Sequence, residues 1–263
     1  MSASRKWAIV TGASSGIGRA LAREFAAGDF NVLLTGRNEA ELARLAEECT
    51  AEFDVRTKVV VADLSRPESV DALIEAISAF PTEYEVLVNN AGFGIHGDFA
   101  ITDIDKEVEL VNVQLAAMLK LTKAVLPGMI LRRKGRILNV GSVYSYAPVP
   151  LQSVYAACKA FLLSFSASLR NELAATGVTV TLFCPGITQT EFRSRANIAE
   201  KNKNSGMTAQ EAAHQGFVAT MREKSVAIPG LENRLFVAAA KLLPSSTFTG
   251  IVRFINRLRG HKK

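Results

Sequence analysis

Three side chains that can handle a proton together lie close in the sequence: Ser142, Tyr155 and Lys159. Tyr155 and Lys159 are four residues apart, so on a helix they share one face. An ammonium beside a phenol favours the phenolate and lowers a phenol pKa that is normally about 10. The Ser142 hydroxyl would hold a carbonyl oxygen where Tyr155 can protonate it. We therefore predict general-acid catalysis of carbonyl reduction, a reaction that requires a hydride donor.

A glycine-rich turn near the N-terminus is the candidate binding site for that donor. The sequence from Thr11 to Gly18 reads TGASSGIG and follows an apolar run. Glycines permit a tight turn and a close approach of the backbone to a pyrophosphate at the start of a helix. The spacing is GxxxGxG, and its strand–turn–helix context predicts a nucleotide site at Gly12, Gly16 and Gly18. The alternative is a tight turn that binds nothing.

The end of the second predicted strand indicates which dinucleotide binds. Position 37 lies nineteen residues past Gly18. In dinucleotide-binding folds an acid near this point binds a ribose 2′-hydroxyl, and an arginine there accommodates a 2′-phosphate. Arg37 occupies the position, Asn38 follows it, and the first acid is Glu39. Because Ser15 in the glycine-rich turn carries no charge, we expect Arg37 and Asn38 to hold a 2′-phosphate. The alternative is a surface arginine at a strand end.

Short β-branched runs alternate with longer helical patterns along the chain. Strands are predicted at 7–11, 31–35, 57–61, 86–89, 136–140, 178–183 and 225–228. Helices are predicted at 16–27, 39–51, 67–80, 103–131, 153–176, 208–222, 231–243 and 248–258. Continuous apolar strands that alternate with helices predict an α/β fold, a Rossmann-type doubly wound parallel sheet with helices on both faces. We expect one domain over residues 1–263, with a mobile substrate lid at 191–224 and a C-terminal helical extension at 230–263.

Composition narrows the class of protein further. The chain is 48% apolar and 21% charged, which is ordinary for a globular domain. No uninterrupted apolar run has the roughly 18 residues of a spanning helix, and no signal peptide is evident. The three cysteines, Cys49, Cys158 and Cys184, are widely spaced, which argues against a zinc site or a disulfide framework. We expect a cytoplasmic protein that binds no metal.

The net charge of +6 is concentrated at the C-terminus, because residues 251–263 contain five basic residues and no acid. A nucleic-acid-binding protein more often spreads its basic residues over a docking face, so we expect no nucleic-acid partner. On a helix, Ile251, Phe254, Ile255 and Leu258 would lie on one side, with Arg253, Arg257 and Arg259 on its flanks. Two interpretations remain open for this tail: weak peripheral contact with a membrane surface, or packing on the protein itself.

These features together resemble the short-chain dehydrogenase/reductase family over most of the chain. The turn from Thr11 to Gly18 resembles its TGxxxGxG motif, and residues 89–92, NNAG, match its motif of that name. Cys158 stands where a serine or another small residue is common. The C-terminal helices look most like a bacterial branch of poorly defined substrate. The resemblance assigns the cofactor, NADP(H), to Gly12, Ser14, Ser15, Gly16, Ile17, Gly18, Arg37, Asn38, Asp63, Leu64, Asn90, Ala91, Gly92, Tyr155, Lys159, Pro185, Gly186, Ile187 and Thr190.

The resemblance also implies roles and partners. It makes Asn112, Ser142, Tyr155 and Lys159 the catalytic residues, with a water held by Asn112 that relays protons to Lys159. It implies a homodimer or higher homo-oligomer formed by the helices at 103–131 and 153–176. The loops expected around the substrate are mainly apolar, which favours a hydrophobic ketone or aldehyde. The alternative function is a non-catalytic NADP(H)-sensing protein on the same fold.

Overall fold

The computed structural model describes residues 5–80, 82–196 and 206–260. Its strands are β1 (Trp7–Thr11), β2 (Asn31–Gly36), β3 (Thr57–Val61), β4 (Tyr84–Asn89), β5 (Gly135–Val140), β6 (Val178–Phe183), β7 (Thr188–Gln189), β8 (Met207–Thr208) and β9 (Val226–Ala227). Its helices are α1 (Gly16–Ala27), α2 (Glu39–Phe53), α3 (Pro67–Ala79), α4 (Ile104–Val111), α5 (Ala117–Leu131), α6 (Ser153–Glu172), α7 (Phe192–Arg195), α8 (Ala209–Met221), α9 (Leu231–Leu242) and α10 (Ser245–Gly260). A π-helical segment, Asn112–Ala116, joins α4 to α5, and a 3₁₀ turn spans Val143–Tyr146.

Seven parallel strands form the central sheet in the order β3-β2-β1-β4-β5-β6-β9. The strand order reverses at β1, which pairs with β2 on one side and with β4 on the other. In open α/β sheets a ligand binds in the crevice outside the carboxyl ends of the strands at such a reversal. The topology therefore places the turn after β1 and the segment after β4 at one crevice, and confirms the predicted doubly wound fold.

The core lies on both faces of the sheet because successive side chains of a buried strand point to opposite sides. Val10 and Leu34 belong to the cluster that α1, α2 and α8 cover. Their neighbours Ile9 and Leu33 belong to the cluster that α3, α5 and α6 cover. All four side chains are fully buried. Burial on both faces explains why these strands read as continuous apolar runs in the sequence.

The predicted elements agree closely with the structure, with two informative differences. The helix predicted at 103–131 is interrupted by the π-helical segment at Asn112–Ala116. The helix predicted at 153–176 ends at Glu172, and Gly177 with a φ of +79° then turns the chain into β6. The two-residue strands β7 and β8 pair with each other, a contact between distant segments that no local pattern predicts.

The lid predicted at 191–224 contains a core helix. Ala212, Ala213 and Thr220 of α8 are fully buried, and Phe217 makes an edge contact with Phe25 of α1 at 5.1 Å between ring centroids. The predicted lid therefore does not include α8, and a lid in the segment before α8 stays a prediction. Its residues 197–205 lie outside the described part of the chain, as do residues 261–263 of the basic tail and the side chains of residues 255–260.

One described helical stretch, Ile104–Leu131, is long and apolar enough to span a membrane by length and composition alone. In the structure it covers one face of the sheet, and Leu110, Leu121 and Met129 are buried in the core. A core helix passes the same length and composition test, and we interpret this stretch as one.

Candidate active site

Three of the four predicted catalytic residues, Ser142, Tyr155 and Lys159, meet at the carboxyl end of β5. Ser142 follows β5, and its hydroxyl accepts a hydrogen bond of 3.2 Å from the backbone N–H of Tyr144, which caps the 3₁₀ turn. Tyr155 lies on the first turns of α6 and is buried. The Ser142 hydroxyl interacts with the Tyr155 phenol and acts to lower the pKa of that phenol. The strand end and the helix thus place the two oxygens side by side, where a single carbonyl oxygen can contact both.

The pKa of Tyr155 moves in the direction opposite to the sequence-based prediction. Burial raises the pKa of the phenol, and the hydrogen bond with Ser142 only partly opposes this. The expected lowering by Lys159 is therefore wrong for the protein alone, because removal of solvent disfavours the phenolate more than its surroundings favour it. Tyr155 consequently keeps its proton at neutral pH.

Lys159 lies one helical turn below Tyr155, as the four-residue spacing predicts. Its Nζ is 5.5 Å from the centroid of the Tyr155 ring and donates a 2.9 Å hydrogen bond to the Val140 carbonyl at the end of β5. Burial lowers the pKa of this ammonium to about 8. The proton of Lys159 is therefore easily exchanged near neutral pH.

A small cavity of about 10 Å³ lies beside Lys159. Gln114 and Asn89 line it, both are buried, and the oxygen of each side-chain amide has no hydrogen-bond partner within the described residues. The Gln114 amide nitrogen donates to the Phe93 carbonyl at 2.9 Å. Gln114 lies in the π-helical segment, and it was not singled out from the sequence because no local pattern indicates that it lines a cavity.

Asn112 opens that π-helical segment, and such segments recur at functional sites. Its amide donates a 3.2 Å hydrogen bond to the carbonyl of Ser65, after β3. The role of Asn112 in holding a relay water stays a prediction, while its contact with Ser65 ties the segment to the neighbouring loop.

The glycine-rich turn has the shape required for a close backbone approach. Gly12 and Gly16 have φ values of +65° and +55°, and a Cβ at Gly12 would lie 2.9 Å from the Cα of Ala91. A Cβ at Gly18 would collide with the Gly12 carbonyl. The turn therefore accepts no side chain at these positions, which leaves the start of α1 open to a phosphate group.

Thr11 and Asn90 join this turn to the segment after β4. The Thr11 hydroxyl accepts hydrogen bonds from the backbone N–H groups of Asn90 and Ala91 at 2.9 and 3.0 Å. The Asn90 amide donates to the Thr11 carbonyl at 2.9 Å. The side chain of Asn90 therefore braces the turn, and Gly92 leaves room for Gln114, whose Cδ would be 3.2 Å from an added Cβ.

A broad cleft extends from the glycine-rich turn across the ends of β1 and β2. Its lining includes Ser14, Ser15, Gly16, Arg37 and Asn38. Arg37 is exposed, and its charge helps to hold down the pKa of Asp63. Burial raises the pKa of Asp63. Hydrogen bonds from Ser65 and the charges of Arg37 and Arg66 outweigh this effect, so the pKa is lowered overall.

Some predicted cofactor residues have structural duties in this cleft. The Asn38 side chain caps α2 by accepting a 3.2 Å hydrogen bond from the Glu41 N–H. Ile17 packs against the core cluster beneath α1, and Leu64 is buried in the cluster on the other face of the sheet. Asp63 accepts from the Ser65 hydroxyl at 2.8 Å. Arg37 is therefore the predicted residue whose charge is directly available at this end of the cleft.

The segment after β6 closes the site from above. The Pro185 carbonyl accepts a 3.1 Å hydrogen bond from the N–H of Val143, next to Ser142. A Cβ at Gly186 would meet the Asn233 side chain, so the backbone passes close to α9. The Ile187 carbonyl accepts from Met207 at 3.1 Å, and Thr190 lies against Gly16. These contacts place residues 185–190 between the glycine-rich turn and the catalytic residues.

Aromatic side chains surround Tyr155. The ring of Phe192 lies 5.4 Å from that of Tyr155, and the ring of Tyr144 lies 6.5 Å from it on an edge. Phe236 of α9 lies 6.2 Å from Tyr144. Phe93 and Ile95 pack in the same apolar cluster as Tyr155. The sequence predicted mainly apolar loops around the substrate, but nothing local indicated that Phe236 would reach the site from the C-terminal extension.

The arrangement can accept a carbonyl oxygen between two hydroxyls, in an apolar pocket beside a phosphate-binding turn. The fit to a dinucleotide is supported by the glycines that exclude a Cβ and by the cation at Arg37. The residues able to hold such a group are the turn at 11–18, Arg37, the segment at 90–92, Lys159 and residues 185–190.

Comparisons with known proteins agree with this geometry. The family model described as short chain dehydrogenase matches residues 6–201. The very-long-chain 3-oxoacyl-CoA reductase of Anas platyrhynchos is 39% identical over 183 residues, which cover 68% of this chain and 58% of that protein. The chain spans between 51% and 61% of the length of the curated relatives that it matches. These relatives are eukaryotic, so the bacterial branch suggested by the sequence finds no support among them.

Solved structures match over nearly the whole chain. A short-chain dehydrogenase from Sphingobium yanoikuyae in complex with NADPH has a TM-score of 0.82 and 30% identity, and the match covers 98% of this chain and 97% of that one. A 7β-hydroxysteroid dehydrogenase has a TM-score of 0.83 and 25% identity, with 94% and 96% covered. With the glycine-rich turn, the NNAG segment and the Ser142–Tyr155–Lys159 site in place, the chain belongs to the short-chain dehydrogenase family.

Proposed function

We propose that this protein is an NADPH-dependent reductase that converts a hydrophobic ketone or aldehyde to an alcohol, by reversible hydride transfer. The observation that carries the proposal is that the buried Tyr155 phenol interacts with the buried Ser142 hydroxyl and lies one helical turn from Lys159. A carbonyl oxygen placed against both hydroxyls is held and protonated by the same pair of groups.

The choice of NADPH rests on the cleft and on the comparison structure. Arg37 lies at the end of β2 and supplies a cation where the 2′-phosphate of the dinucleotide would lie. The dehydrogenase from Sphingobium yanoikuyae was solved with NADPH. When bound, this cofactor supplies the hydride, and the protein supplies binding and alignment.

Each catalytic side chain then has a distinct duty. Tyr155 donates its proton to the carbonyl oxygen in reduction and accepts one in oxidation, and its raised pKa keeps the proton available for reduction. Ser142 orients the oxygen and stabilises the charge that develops on it. Lys159 can exchange its proton near neutral pH because its pKa is about 8. Gln114 and Asn89 line the cavity beside that ammonium.

An apolar substrate fits the walls around Tyr155. Tyr144, Phe192 and Phe236 surround the catalytic tyrosine with aromatic surface, and Ile95 and Phe93 extend it. The names of the relatives include reductases of very-long-chain 3-oxoacyl-CoA and a hydroxysteroid dehydrogenase. We therefore propose 3-oxoacyl thioesters and polycyclic ketones as the first substrate classes to examine.

The experiment is a measurement of NADPH absorbance with a carbonyl panel, in which 3-oxoacyl thioesters of increasing chain length and steroid ketones are compared with small polar aldehydes. We expect catalytic efficiency to rise with apolar surface. If NADPH binds but no carbonyl compound is reduced and no alcohol is oxidised, the protein is instead the non-catalytic NADP(H)-sensing alternative. Retention of both Tyr155 and Lys159 favours the enzyme, because a sensor requires neither proton-transfer group.

A further inference from the structure

All of the net positive charge of the chain belongs to its two C-terminal helices and the tail after them. Residues 231–263 contain seven basic residues and one acid, out of 31 basic and 25 acidic residues in the whole chain. Residues 1–230 therefore hold 24 of each and are neutral overall. The charge is thus a local property of one part of the surface.

Helix α9 has two faces with different duties. Its inner face carries Val237, which is buried, and Phe236, whose ring packs against Tyr144 beside the catalytic site. Its outer face carries Leu231, Leu235 and Leu242, whose exposed fractions are 73%, 62% and 83%. Spacings of four and seven residues place these leucines on one stripe, opposite Phe236. Nothing in the described part of the chain covers the stripe.

Helix α10 repeats this division. Phe248 and Val252 are buried against Phe236 and the loop after Ser142. Ile251 and Phe254 are exposed at 44% and 64%. The two helices thus present five large exposed apolar side chains together with three exposed cations. We name this surface the apolar-basic face, and define it by Leu231, Leu235, Leu242, Ile251, Phe254, Arg234, Lys241 and Arg253.

We propose that the apolar-basic face docks on an anionic lipid surface. Apolar side chains flanked by cations are the combination that lies in the headgroup region of a bilayer, where the former leave water and the latter face lipid phosphates and carboxylates. A second copy of this chain is a poor occupant, because an isologous interface would bring the same excess of positive charge from both copies together. Nucleic acid is also a poor occupant, because large exposed leucines and isoleucine add nothing to phosphate contacts.

The apolar-basic face lies close to the substrate pocket, so docking would affect how substrate reaches that pocket. This part of the inference rests on the proposed function. The inner side of α9 brings Phe236 to the aromatic wall of the active site, while the outer side carries the leucine stripe. A docked protein therefore holds its substrate pocket at the lipid surface. A hydrophobic carbonyl compound dissolved in the bilayer can then enter without crossing bulk water.

The test is flotation of the full-length protein with vesicles of phosphatidylcholine alone or with added phosphatidylserine. We expect the unaltered protein to float with the anionic vesicles. The variant Arg253→Glu should lose roughly fivefold or more in partitioning, since one cation near such a surface is worth about 1 kcal/mol. The double variant Leu235→Ser/Leu242→Ser, which removes apolar side chains that would leave water, should lose a similar factor. Ile101→Ser is the matched control, because Ile101 is 82% exposed on a loop before α4. The control should float like the unaltered protein.

Two results would overturn the proposal. One is equal flotation of the unaltered protein and the double variant, or no flotation at all. The other is a double variant that loses an oligomeric state which the unaltered protein shows by light scattering, since the stripe would then serve a second copy. Reduction of a water-soluble carbonyl by the same samples separates this proposal from the proposed function. Activity that persists in the double variant leaves the function intact when docking fails.

Discussion

Lys159 lies 5.5 Å from the ring centroid of Tyr155 and is anchored to the Val140 carbonyl at the end of β5. Both side chains are buried, and burial acts on them in opposite directions. It lowers the pKa of the ammonium to about 8 and raises the pKa of the phenol. Burial thereby favours the neutral form of each group. Without a ligand, Tyr155 and Lys159 therefore do not form a buried phenolate–ammonium pair.

The lowered pKa of Lys159 predicts that NADPH binding takes up a proton at alkaline pH. An anionic ligand favours the ammonium, so it raises the pKa of Lys159 in the complex. Above about pH 8 the free protein has lost this proton and regains it on binding, whereas below that pH both states hold it. Titration calorimetry in two buffers of different ionisation enthalpy at pH 9 measures the uptake. The uptake should disappear in Lys159→Met, and an equal uptake in that variant would assign the proton to another group.

Arg37→Asp should abolish the preference for NADPH over NADH. A charge-assisted hydrogen bond contributes about 1.5–3 kcal/mol, which corresponds to roughly a 10- to 150-fold loss in NADPH affinity. Arg44→Asp is the matched control, because Arg44 lines the same cleft but faces Glu41 and Glu48. Fluorescence titration with both cofactors measures the affinities. An unchanged cofactor preference in Arg37→Asp would show that another cation of the cleft contacts the 2′-phosphate.

Phe192→Ala should widen the pocket above Tyr155. The Phe192 ring lies 5.4 Å from that of Tyr155 and also limits the space above Gly94. We expect the ratio of kcat/KM for a bulky ketone to that for a small aldehyde to rise, because only the bulky substrate requires that space. Phe99→Ala, at an aromatic side chain that is 59% exposed, is the control and should leave the ratio unchanged. A fall in both efficiencies by the same factor would show that Phe192 acts on Tyr155 and does not select substrates.

The oligomeric state provides a separate test. Ile104, Val108 and Leu119 on α4 and α5, and Phe161 on α6, are exposed apolar side chains. We expect them to pair across a twofold axis, as the family resemblance implies, and an isologous dimer would bury them in both copies. Light scattering should give twice the mass of one chain, and Phe161→Arg should shift it towards the monomer. A monomeric unaltered protein at micromolar concentration would contradict this.

Local patterns in the sequence were sufficient to predict the strand, turn and helices that carry the candidate site. Apolar β-branched runs and glycine spacing predict β1, the turn after it and α1, because these depend on neighbouring residues alone. The four-residue spacing likewise predicts that Tyr155 and Lys159 share a face of α6. The direction of the Tyr155 pKa could not be predicted, because it depends on how deeply the folded chain buries the phenol.

The features of the site that the sequence did not predict depend on contacts between distant segments. Phe236 reaches Tyr144 only because α9 folds back over the loop after β5. Gln114, in the π-helical segment, lines the cavity beside Lys159, and no local pattern indicates this. Asn38 caps α2, so its predicted phosphate contact competes with a helix end. The predicted lid wrongly included α8, because α8 buries Ala212 and Ala213 in the core, and its composition alone does not distinguish a core helix from a mobile one.

The central claim is that Tyr155 supplies the proton for carbonyl reduction, and Tyr155→Phe tests it most directly. The variant removes one oxygen from a buried ring, so NADPH affinity and thermal stability should change little. The account predicts a loss in kcat of roughly 100- to 10,000-fold, the usual contribution of a positioned acid. The measurement is NADPH oxidation at saturating carbonyl substrate, beside NADPH binding by fluorescence. Turnover within a few-fold of the unaltered protein would contradict the account, because another group would then be protonating the carbonyl oxygen.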